Sequence, residues 1–170
     1  YDIDHDGLVD LYTSEFYGQR NKWYRNHGDG NFEERSGIHG VHALGSTHVA
    51  VFADSDLDGF ADLFVGNDYP VSVAGQIQGN VGDQHYQGQP DGTWDNVSEG
   101  SGYDVERGIM GITFGDVNYD GLPDIYKTDA GHNYLMINQG WPDSGQPWIE
   151  EQDLYGIENA EVVDPLDPEN

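Results

Sequence analysis

Three times in 170 residues the chain sets acids at alternate positions, closes the run with glycine and returns an acid three residues later. The segments are YDIDHDGLVDLY from Tyr1, ADSDLDGFADLF from Ala53 and GDVNYDGLPDIY from Gly115. Each reads DxDxDGxxD, with Asn118 for the second acid of the third, and then an aliphatic and an aromatic residue. Self-similarity of this kind limits the fold to repeated supersecondary units.

The first acids fall at Asp2, Asp54 and Asp116, so the spacings are 52 and 62 residues. NKWYRNHGDGNFEERSG, DQHYQGQPDGTWDNVSEGSG and NYLMINQGWPDSGQPWIEEQ follow the loops in register, with Phe32, Trp94 and Trp148 as equivalent aromatics. Phe32 to Asp54 and Trp94 to Asp116 are both 22 residues, which sets the repeat. The longer second unit carries about ten extra residues around Tyr69 to Asn80, a stretch without charge and a candidate contact loop. The units run over about 1–47, 48–108 and 109–158, and 159–170 is a tail or the start of another unit.

Alternation and β-branched or aromatic content predict strands at His48 to Phe52, Leu63 to Val65, Ile109 to Phe114, Ile125 to Thr128 and Tyr134 to Ile137. Asp29-Gly30 and Asp91-Gly92 sit where hairpins need residues that tolerate positive φ. No window shows a sustained helical period. Units of 50 to 60 residues with about four short strands each fit propeller blades better than a solenoid coil. The expected fold is all-β: about three blades of a calcium-binding β-propeller, a piece of a larger ring, because three blades leave open sheet edges.

Composition narrows the partners. Thirty-two acids against six basic residues give a formal charge of -26, which argues against a phosphate-binding surface and so against nucleic acid. The longest apolar run, around His48 to Ala53, is far short of the roughly 20 residues a spanning helix needs, so membrane insertion is not expected. Four Trp, eleven Tyr and six Phe supply a core despite the charge. The absence of cysteine removes disulfides, thiolate sites and a cysteine nucleophile.

Half of the 22 aspartates lie in the three loops. Side chains at positions 1, 3 and 5 converge as the backbone turns, and glycine at position 6 permits the turn. Oxygen-only donors point to calcium; magnesium prefers strict octahedral geometry and retained water, and zinc prefers nitrogen or sulfur. The loops are not EF-hands, because position 12 is Thr13, Val65 or Lys127 where a bidentate Glu is required. The acid recurs instead at position 9. The expected side-chain ligands are Asp2, Asp4, Asp6 and Asp10; Asp54, Asp56, Asp58 and Asp62; and Asp116, Asn118, Asp120 and Asp124. Leu8, Phe60 and Leu122, at position 7, are expected to offer backbone carbonyls to about three ions in all. Against this stands the reading of each loop as a plain solvated turn, which three copies in register disfavour.

These loops, with Met110-Gly111, Phe114-Gly115 and the strings YRNHGDGNFEE and DGTWDNVSEGSG, resemble the VCBS and FG-GAP repeat families, and most closely ASPIC/UnbV or cartilage acidic protein-like β-propellers. The resemblance covers roughly residues 1–158. It implies an extracellular, periplasmic or cell-surface setting, and calcium loops that join the innermost strand of each blade to the next strand. Ala53 in place of Gly115 and Asn118 in place of Asp depart from the pattern without removing ligands.

Two functions follow. The first is a non-catalytic scaffold for adhesion, surface assembly or matrix interaction, whose partners are other blades, neighbouring subunits, or a protein or carbohydrate ligand. The alternative is the calcium-dependent propeller domain of a secreted enzyme such as a polysaccharide lyase or hydrolase, which needs a perturbed acid or base beside a pocket. Its candidates are sparse: Arg20, Lys22, Arg25, Arg35, Arg107, Lys127 and seven histidines. His39 and His42, with His48 nearby, form the one histidine grouping, read as ordinary histidines of a loop between blades rather than a transition-metal site. Asn96-Val97-Ser98 is a formal glycosylation sequon.

Overall fold

The computed structural model describes residues 1–16, 19–41, 43–68, 72–73, 76–77, 82–104, 108–129, 132–141 and 146–151. In chain order the strands are β1 (Leu11–Thr13), β2 (Gln19–Arg20), β3 (Lys22–Asn26) and β4 (Phe32–Glu34). A single helical turn α1 (Ser36–His39) and β5 (Leu44–Gly45) lead to β6 (Thr47–Ala53) and β7 (Asp62–Asn67). Then come β8 (Ser72–Val73), β9 (Gln76–Ile77), β10 (Gln84–Gly88) and β11 (Trp94–Asn96). The series closes with β12 (Ile109–Gly115), β13 (Asp124–Asp129), β14 (Tyr134–Asn138) and β15 (Trp148–Glu150).

Among the described residues every pairing is antiparallel, and within each of the three larger sheets the strands lie in chain order. The sheets are ordered β1-β3-β4, β6-β7-β10-β11 and β12-β13-β14-β15, three blades of a β-propeller. The first sheet has three strands, and β1 has no partner on its other edge among the described residues. The expected strands and both hairpins are present; Gly30 and Gly92 take φ of 89° and 79°, where a Cβ would be strained. α1 is a departure from the loop expected around His39, a lone turn closed by Gly40 in the left-handed region. Two short ladders, β2-β5 and β8-β9, lie outside the blades. Apart from the β8 and β9 ladder the insertion at Tyr69 to Asn80 lies outside the described residues, as does the tail at 159–170.

The core is the pair of seams between blades. Alternate residues of a central strand face opposite neighbours. Leu63, Val65 and Tyr86 of the second blade therefore pack on Ile3 and Trp23 of the first. Phe64, from the same strand β7, packs on Ile125, Met136 and Trp148 of the third. Phe32, Trp94 and Trp148 all open the outer strand of their blades, opposite Asn26, Gly88 and Asn138. Trp94 and Trp148 are buried against the preceding blade, whereas Phe32 is 49% exposed.

Polar side chains also cross the seams. Thr47 Oγ1 accepts from Asn21 Nδ2 at 2.9 Å and donates to Asn67 Oδ1 at 2.8 Å, tying the first blade to the second. Asn138 Nδ2 of the third blade donates to the Ser55 carbonyl at 2.8 Å. Lys127, fully buried, places Nζ 2.8 Å from Asp83 Oδ2, donates to the Tyr103 carbonyl and lies 3.4 Å from the Tyr103 ring centroid.

Candidate metal loops

The three acidic loops close the same way because their donors and acceptors recur at the same positions. The position 1 carboxylate takes the N–H groups of positions 5 and 6: Asp2 from Asp6 and Gly7 at 3.1 and 2.9 Å, Asp54 from Asp58 and Gly59 at 3.1 Å each, Asp116 from Asp120 and Gly121 at 3.1 and 3.0 Å. The position 5 carboxylate takes the N–H of position 7, at 2.9 Å for Asp6 and 2.8 Å for Asp58 and Asp120. Leu8, Phe60 and Leu122 thus spend their N–H groups inside the loop.

Position 9 does something else as well. Asp10, Asp62 and Asp124 are buried, and each spans two elements. One oxygen accepts the N–H of position 2 (Ile3 at 2.9 Å, Ser55 at 3.1 Å, Val117 at 2.9 Å). The other accepts the N–H that ends the third strand of the blade (Asn26 at 2.8 Å, Gly88 at 3.0 Å, Asn138 at 2.9 Å). This acid buckles the loop to the sheet; Asp10 and Asp124 keep a lone pair on each oxygen, whereas Asp62 Oδ2 also accepts from the Ser55 hydroxyl.

The backbone turns left-handed twice in each loop. Glycine at position 6 has φ of 88° to 93°, as its residue type implies. Position 4 is also left-handed, in His5 (57°), Leu57 (61°) and Tyr119 (62°). Residue identity does not announce this, since these side chains disfavour that region by roughly 1–2 kcal/mol; the hydrogen bonds on either side impose it.

In the first two loops carboxylates converge within 4.8 Å of one another: Asp2, Asp4 and Asp10, and Asp54, Asp56 and Asp58. The third offers Asp116, Asp120 and Asp124 with the Asn118 amide, whose Nδ2 lies 2.8 Å from Asp120 Oδ2. A set made only of oxygens, running from the buried acid at position 9 to the exposed one at position 5, fits a hard cation such as calcium. Burial pushes the Asp56 carboxyl up, against the hydrogen bond from Gln87. The Leu8 N–H, with Arg25 behind it, holds the Asp6 carboxyl below its usual range. Asp4 Oδ1 has no hydrogen-bond partner, and Asp4, Arg25 and Arg35 line a cavity of about 220 Å³. The loops lie side by side: the Tyr1 ring stacks on Phe52 at 5.2 Å, and His5 meets Phe60 edge-on at 5.5 Å.

The other candidates separate. His48 Nε2 sits 3.1 Å from Asp68 Oδ2, while the His39 side chain and all of His42 lie outside the described residues. Lys22, Arg25, Arg35 and Lys127 each face a carboxylate, and Arg107 lies outside the described residues. Two features escaped the sequence reading. Lys127 meets Asp83 across 44 positions, with burial pulling the amine down to about 8 and pushing the carboxyl up to about 6. His85, fully buried, stacks on Phe64 at 4.2 Å with Nε2 4.0 Å from Asp62, and burial holds its pKa below the ordinary value.

Asp58→Ala separates the loops. It removes an exposed candidate ligand and one local hydrogen bond, so any bound calcium is expected to fall by one ion while the loop at Asp116 is unaffected. Calcium titration calorimetry checks this, and loss of all binding would contradict independent loops.

Residues 2–65 match the family model described as FG-GAP-like repeat. No curated protein matches the chain.

Proposed function

We propose that the chain, whose residues 2–65 match the FG-GAP-like repeat model, is a calcium-stabilised propeller scaffold, non-catalytic, working outside the cell, at its surface or in the periplasm. The carrying observation is that three acidic loops on neighbouring blades share the same hydrogen bonds from positions 5 and 6 to position 1, from position 7 to position 5 and from position 2 to position 9. The ion serves the fold, because it holds together carboxylates that otherwise repel. Extracellular modules work at millimolar calcium, which suits loops this open to solvent.

A binding role draws on two surfaces. Leu57 and Tyr119 stand 58% and 92% exposed at the loop tips, and large apolar groups held out to water suit adhesion or matrix contact with a protein or carbohydrate. Leu11 and Phe32, 48% and 49% exposed, occupy the positions through which Leu63 and Trp94 pack on the preceding blade. A further blade or a neighbouring subunit is the occupant that matches this face. The non-catalytic reading draws on where two buried basic groups lie: Lys127 and His85 are sealed between blades, out of reach of a substrate.

Thermal melting with calcium and with chelator tests the proposal. A ligand at about 100 times its Kd adds roughly 2.7 kcal/mol per site. With two or three loaded loops the midpoint is expected to rise by about 10 °C or more. An unchanged midpoint would sink it.

A further inference from the structure

We propose that the first acidic loop is closed by the guanidinium of Arg25 in place of a metal ion, and that the residue at this register position of each blade sets whether its loop takes calcium. The inference rests on the calcium reading of the other two loops.

The position is the one before the residue that ends the third strand and donates its N–H to the buckling aspartate. It holds Arg25 in β3, Gln87 in β10 and Ile137 in β14, preceding Asn26, Gly88 and Asn138. Arg25 Nε lies 2.6 Å from Asp4 Oδ2, and Nη2 donates to Asp6 Oδ2 at 2.8 Å. Gln87 Nε2 donates to Asp56 Oδ2 at 2.7 Å. Ile137 is buried and brings no polar atom. The same site on three blades therefore meets a cation, a neutral amide and a hydrocarbon.

The carboxylates respond. In the second loop positions 1, 3 and 5 converge, as Asp54, Asp56 and Asp58. In the first the convergent set is Asp2, Asp4 and Asp10, and Asp6 is outside it, paired with Arg25. Arginine stays protonated, so its charge cannot leave the site by titration. A calcium ion entering the first loop must break both guanidinium contacts and then sit beside a fixed positive charge. Gln87 imposes no such charge and can turn its amide to offer oxygen. The alternative is that Arg25 forms only an ordinary surface ion pair, which a divalent ion displaces with ease.

Titration calorimetry of the whole chain with calcium, for the wild type, Arg25→Gln and Gln87→Arg, decides between them. The expected counts are two ions for the wild type, three for Arg25→Gln and one for Gln87→Arg. Three ions in the wild type, unchanged in Arg25→Gln, overturn the proposal and leave the calcium reading standing. No calcium bound by any of the three overturns both. If Arg25→Gln does not fold, Gln87→Arg decides alone: loss of one ion supports the proposal and an unchanged count refutes it.

Discussion

Lys127→Met is expected to destabilise the chain by about 3–5 kcal/mol, because it leaves the Asp83 carboxylate buried without its partner. Both side chains are fully buried at the seam between the second and third blades, and Asp83 also accepts the Asn67 N–H at 3.0 Å. Changing both residues together, Lys127→Met with Asp83→Leu, is expected to restore part of the loss, since an apolar pair avoids the desolvation that the ion pair must overcome but leaves the Asn67 N–H without its acceptor. The pH dependence carries a sign. Burial raises Asp83 to about 6, above its unfolded value, so its contribution is present below about 3.8 and is lost as pH rises through 6. Burial lowers Lys127 to about 8, so its contribution is present above about 10.5 and is lost as pH falls through 8. The pair therefore helps least between about 6 and 8, where both groups are charged. Urea unfolding of wild type and double variant across pH 4 to 8 checks this; a difference independent of pH would contradict it.

Asp62→Ala is expected to lower stability by about 3–5 kcal/mol even without calcium, because the Ser55 and Gly88 N–H groups lose their buried acceptor at about 1–3 kcal/mol each. The Ser55 hydroxyl, which also bonds to Asp62, loses its partner too. Asp58→Ala is expected to lower stability in chelator by about 1 kcal/mol or less, since its carboxylate is exposed and local. The two acids look alike in the motif and differ in burial. Chemical unfolding in chelator separates them, and equal effects would show that position 9 is a ligand and nothing more.

Much of the architecture was legible in the chain because the loop is a local object. Its contacts, from position 1 to 6 and from 5 to 7, close within five residues, so spacing alone implies them. The register of Phe32, Trp94 and Trp148 was legible too, since a hairpin of set length carries the aromatic to the same rung of each ladder. The single turn at Ser36–His39 was not, because four residues are too few for a helical period.

The sequence by itself determined the loops and the all-oxygen donor set, because each depends on residues a few positions apart, and the blades, because the loop and its following aromatic repeat in register. The tertiary structure alone decided what those donors face. Asp83 meets Lys127, Asn138 reaches Ser55 across 83 positions, and Phe32 is left exposed where Trp94 is covered. It also decided that Arg25 and Gln87, two unremarkable surface-type residues, turn toward Asp4 and Asp56. Strand pairing brings the third strand under the loop, and no periodicity within either segment encodes which side chain arrives there.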